Sequence, residues 1–245
     1  MTGFIERTRQ GVRALVTAVA GAGREPERAA YLVAADTNIL ASLLGWSGPK
    51  KVTKPALMPL LSGRVWRSGA PDRVAGVVGL AGGWAGDLAL MKPDNIRAGA
   101  TGFAANHAAY IYLLLNRGAR PSITRVAVRA VPLAAATVLA ARKAPGLLPV
   151  VLGYGGLLAT TSVLADDPAL INPDDPATYG LGHGGNLFLI SDAVLFARET
   201  LLTPGTPAAR VADAAVMGTY TVAQLLLIDG LFPGRPRLNR IPLSQ

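Results

Sequence analysis

The chain has 245 residues, 51% of them hydrophobic and 16% charged, with a mean hydropathy of +0.36, a balance that a water-soluble domain would struggle to solvate. Its net charge of +9 falls in short Lys/Arg clusters between apolar runs and carries no nucleic-acid-binding motif, so the clusters read as loops facing anionic lipid and nucleic acid is not expected as a partner. The absence of cysteine excludes disulfides, a thiolate nucleophile and cysteine-ligated metal.

The apolar runs are continuous and about 20 residues long, whereas barrel strands alternate apolar and polar over about ten. Together with an Ala/Gly-rich composition that lets helices approach closely, this predicts an all-α, polytopic transmembrane helix bundle of about eight helices.

Three segments are expected: an N-terminal basic segment (1–28), the bundle carrying the site (29–232) and a basic tail (233–245). In the first, Glu6 interrupts the basic residues and the apolar part is short, so the segment reads as an interfacial helix and not a signal peptide. The first span (29–47) contains Asp36 and Asn38, read as interhelical bonding groups, with Asp36 an outside candidate for the site.

The second span (54–70) is the weakest, because Arg64 and Arg67 shorten its apolar part and Pro55 and Pro59 interrupt its hydrogen-bond ladder. A tilted or broken helix lining a cavity is expected there, with Lys54 at the mouth. The third span (73–91) buries Asp87, and the fourth (98–116) clusters Asn106, His107 and Tyr110, the last two sharing a face.

The fifth (125–141) includes Arg129, and the sixth (146–164) is followed by an acidic, proline-rich segment (166–180) that suits a solvated connection. The seventh span (181–202) opens on His183, expected to be capping or interfacial, and carries Ser191 and Asp192 near its middle. The eighth (211–231) places Tyr220 and Gln224 four residues apart on one face, where they would line a pocket.

Eight spans put both termini on one side, and the loops of that side hold fourteen of the 24 Lys and Arg residues, which favours cytoplasmic termini and a multi-pass protein of the cell membrane. Charged groups inside spans are costly and default to functional candidates. Either Asp alone could be a buried structural group or the partner of Lys54. Two carboxyls sharing a low-dielectric pocket cannot both ionise cheaply, so one keeps its proton beside a charged neighbour, giving an acid and a base for hydrolysis. Two histidines without H-E-x-x-H spacing argue against a metal site, and no nucleophile elbow or phosphate-binding glycine turn is present.

Five stretches in order, "TKPALMPLL" (53–61), "GDLALM" (86–91), "GFAANHAAY" (102–110), "GNLFLISDAVLFA" (185–197) and "YTVAQLLLI" (220–228), resemble the YhhN-type lysoplasmalogenase family of integral membrane proteins. The resemblance implies an eight-helix membrane fold, and no cofactor is expected. It also implies hydrolysis of the vinyl-ether bond of a lysophospholipid substrate to a fatty aldehyde and glycerophospho-ethanolamine or -choline.

Asp87 and Asp192 would be catalytic, and Lys54, Asn106, His107, Tyr110, Ser191, Tyr220 and Gln224 would bind substrate. Lys54 is expected either to hold the lipid phosphate or merely to end its helix as a snorkelling lysine. A proton-coupled or small-molecule transporter, or a hydrolase of another ether or enol lipid, are the rival readings.

Overall fold

The computed structural model describes residues 2–92 and 94–233, with side chains from residue 5 onward. Arg235, Arg237 and Arg240 of the expected basic tail lie outside the described residues. Among the described residues the chain is a bundle of α-helices without strands: α1 (Thr2–Ala20), α2 (Pro26–Leu44), α3 (Ser47–Ser68), α4 (Arg73–Leu90), α5 (Ile96–Asn116), α6 (Ile123–Lys143), α7 (Leu148–Ala165), α8 (Leu181–Leu201) and α9 (Pro207–Leu231).

Each expected span is one helix, α2 to α9. The punctuation is local: Pro26 and Pro207 start their helices, Thr206 accepts from the Ala209 N–H at 3.2 Å, and Gly45 and Gly69 end α2 and α3 in the left-handed region at φ 75° and 68°.

Among the described residues, three stretches are long and apolar enough to cross a membrane by length and composition: Ile123–Lys143, Pro145–Ala165 and Pro207–Leu231. The remaining spans carry charges and glycines that lower their hydropathy. Their outer faces still present Val33, Leu40, Val74 and Val78 to the surroundings, as a lipid-facing belt requires.

The helix of the second expected span lines a cavity, through Lys50, Lys51 and Lys54, but is not broken. α3 runs unbroken through Pro55 and Pro59. Pro59 has no N–H to offer the Pro55 carbonyl one turn back, and the Trp84 indole of α4 donates to that carbonyl instead, at 2.9 Å. A neighbouring helix thus restores the missing bond, and the prolines do not open the helix.

α4 and α5 touch backbone to backbone. A Cβ at Gly102 would lie 2.4 Å from the Gly86 nitrogen, an atom that cannot move aside. Gly102→Ala is therefore expected to force the two helices apart and to destabilise the bundle by about 1–3 kcal/mol, read as a lower unfolding temperature in detergent.

At the end of the bundle nearer the termini, α2, α3 and α9 are joined by ions. Asp229, 5% exposed, accepts from both terminal guanidinium nitrogens of Arg28 and from the Arg64 Nε at 3.0 Å, while Glu25 approaches the Nε of Arg28 and of Arg64 at 3.2 and 3.3 Å. Arg129 of α6 is also buried, donating to Asp166 and Asn186 at 2.7 Å each.

The 166–180 segment is packed and not merely solvated: it forms two 3-10 turns that bury Leu170, Thr178 and Gly180. Burial of Asp167 there pushes its carboxyl up, but the Arg120 and Ala169 N–H groups and the nearby Arg125 outweigh this and hold it below the usual range.

α1 lies against the second of these turns, with the His183 ring seated on Gly11 and the Nδ1 of His183 3.3 Å from the Tyr179 carbonyl. Its Ala14 and Ala18 face the bundle, Ile5, Val12, Val16 and Val19 face outward, and Arg9 and Arg13 are exposed. Three differing faces of this kind suit a helix lying at a membrane surface.

Candidate active site

At the opposite end, where α2 and α4 finish and α3 and α9 begin, the helices enclose a polar cavity of about 540 Å³. Asp87 and Asp192 both line it, with Lys54, Ser191 and Tyr220. The Gly86–Gly102 contact sets the distance of α4 from α5, and Asp87 is the next residue on α4.

Asp87 is 1% exposed and held from two sides. The Lys54 ammonium lies 3.5 Å from one oxygen and the Tyr220 hydroxyl donates to the other at 2.7 Å; the same hydroxyl lies 3.6 Å from the Met58 sulfur. Lys54 thus ion-pairs a carboxylate inside the cavity.

Asp192 has a different environment. The Tyr154 hydroxyl of α7 donates to it, and among the described residues no cation forms an ion pair with it. Sequence reasoning missed Tyr154, which sits in the most uniformly apolar span, and a lone tyrosine there carries no local signal.

Ser191 lines the cavity but donates its hydroxyl to the Val216 carbonyl at 3.1 Å, tying α8 to α9. Asn106, His107, Tyr110 and Gln224 stand behind the cavity and do not line it. Asn106 donates to the Gly79 carbonyl at 2.9 Å and accepts from Gln224 at 3.2 Å, and Gln224 in turn accepts from Tyr110. The chain of bonds joins α4, α5 and α9 where Asp87 and Tyr220 must meet.

His107 shares a 3.1 Å bond with Thr161 and packs edge-on against Phe188 at 4.5 Å. Phe103, Phe188 and Tyr220 meet edge to face under the cavity. Asp36 is exposed on α2 and lies away from the site.

Asp192, Phe103, Leu90 and Leu195 also line a second space, a groove of about 100 Å³ between α5, α6, α7 and α8 whose other walls, Tyr154 apart, are apolar. Asp192 therefore stands where a polar chamber meets an apolar one. At the mouth of the polar chamber, Lys51 and Arg210 have no ion-pair partner among the described residues, whereas Lys50 and Arg198 both approach Asp213. The arrangement suits an amphiphile: anion at the mouth, chain in the groove, reacting bond between two carboxyls.

A model of the YhhN family matches residues 50–231, well over half of the chain and nearly all of α3 to α9. No curated protein and no solved structure matches.

Proposed function

The chain belongs to the YhhN family and is a membrane protein, and on that basis we propose that it is a lysoplasmalogenase, a hydrolase cleaving the vinyl-ether bond of a single-chain glycerophospholipid. The observation that carries this reading is the shared position of Asp192, on the wall of both the polar cavity and the apolar groove. All eight helices α2 to α9 cross the cell membrane, with cytoplasmic termini and the cavity mouth on the far side.

A vinyl ether is inert to bases and nucleophiles. Its hydrolysis begins when the alkene carbon distal to oxygen is protonated, leaving an oxocarbenium ion. Asp192, with no cation paired to it, supplies that proton. Asp87, ion-paired with Lys54, faces the cation and takes a proton from the attacking water. The hemiacetal then expels the glycerol oxygen as an alcohol and leaves the fatty aldehyde. Two carboxyls flanking an oxocarbenium-like state divide the work of glycoside hydrolysis in the same manner.

Lys51 and Arg210 hold the phosphate at the mouth. The test is fatty-aldehyde release from lysoplasmenylethanolamine by the purified protein in detergent. No release, together with uptake of a solute into liposomes, would overturn the hydrolase in favour of a transporter.

A further inference from the structure

Two polar atoms on the cavity wall have no use in the chemistry above. Asn38 and Ser42 sit one turn apart on α2, 0% and 1% exposed, and both line the polar cavity. The Asn38 amide nitrogen donates to the Thr53 hydroxyl at 2.8 Å, which orients the amide, and the Thr53 hydroxyl donates onward to the Pro49 carbonyl at 2.8 Å. The Asn38 Oδ1 and the Ser42 Oγ then have no protein partner. Leaving two buried polar atoms unmatched is costly unless something in the cavity bonds to them.

Their chemistry narrows what that is. Oδ1 only accepts, whereas a serine hydroxyl donates and accepts. A phosphate offers no donor to Oδ1. An ammonium would suit both oxygens, but Asp87, Asp213 and Glu199 in the lining are already paired with Lys54, Lys50 and Arg198, while Lys51 and Arg210 have no ion-pair partner among the described residues, so a further cation would be repelled. A neutral hydroxyl fits both atoms, donating to Asn38 and accepting from Ser42.

Position narrows it further. Thr53, the partner of Asn38, precedes Lys54, the partner of Asp87, while α2 ends beyond Ser42 at Gly45, beside Arg210. The pair therefore lies between the reacting carboxyls and the phosphate end of the cavity.

We propose that Asn38 and Ser42 form a hydroxyl subsite that reads the free hydroxyl on the glycerol carbon next to the ether. The proposal rests on the lysophospholipid reading of the cavity. It makes α2 a specificity element: a two-chain lipid, whose second chain occupies that oxygen, cannot donate to Asn38 and is disfavoured.

Binding tests it without turnover. The probe is a saturated 1-alkyl lysophosphatidylethanolamine, which this chemistry cannot cleave, compared with its 2-deoxy analogue by calorimetry on the detergent-solubilised protein. The wild type is expected to bind the hydroxyl lipid about tenfold more tightly, the size of one to two hydrogen bonds. In Ser42→Ala and in Asn38→Ala the ratio of the two Kd values should fall toward one.

A wild-type ratio of one, from equal binding or none, overturns the proposal. So does a tenfold ratio that persists in both variants, in which case the two atoms hold only cavity water. Aldehyde release from the alkenyl lipid is scored separately. Release without hydroxyl preference removes the subsite and leaves the hydrolase, and preference without release does the reverse.

Discussion

Asp192→Asn is expected to lower aldehyde release by about 10²–10⁴-fold, the usual contribution of a general acid. An amide keeps the shape of the carboxyl and can still bond the Tyr154 hydroxyl, so the loss should come without unfolding. Asp87→Asn should cost a comparable factor for a different reason: it removes the charge facing the cation and strands the Lys54 ammonium.

The paired change Asp87→Asn with Lys54→Met should then recover thermal stability while remaining inactive, separating chemistry from folding. Run in heavy water, the wild type should place one deuterium on the carbon next to the aldehyde carbonyl, because the first step delivers a solvent-derived proton to that carbon. An aldehyde without that label, or full activity in either Asp variant, would sink the two-carboxyl mechanism.

Asp229→Ala is expected to be the most damaging change outside the cavity. It leaves the Arg28 and Arg64 guanidiniums, 5% and 9% exposed, with Glu25 as their one remaining ion-pair partner among the described residues. Breaking a buried ion pair by removing one partner costs about 3–5 kcal/mol, enough to abolish recovery of folded protein from the membrane. Arg64→Met should cost much less, since the two-point Arg28–Asp229 contact survives it. Yield and unfolding temperature in detergent check both, and equal losses in the two variants would contradict the central place given to Asp229.

The eight main helices were legible because continuous apolar runs ended by charged residues, Pro and Gly report length and boundaries directly. Asp87 and Asp192 were legible because a carboxyl in an apolar span is conspicuous by itself. What escaped depends on partners distant in the chain. Arg64 reads as a residue that shortens a span, and only its approach to Asp229, across 165 positions, turns it into a buried joint between helices. Asn106, Tyr110 and Gln224 are as polar as cavity residues, and nothing in their spacing separates a group that touches substrate from one that braces the wall behind it. The prolines of α3 misled because the bond replacing the lost one comes from another helix.

That replacement has an optical consequence. The Trp84 indole is hydrogen-bonded to a carbonyl adjoining Lys54 in sequence, and the ring is 40% exposed. A displacement of α3 that accompanied filling of the chamber would stretch or sever this bond and shift the ultraviolet emission of the ring. With Trp46 and Trp66 replaced, the protein holds a native fluorophore that reports the stance of the lysine-bearing helix without an attached dye.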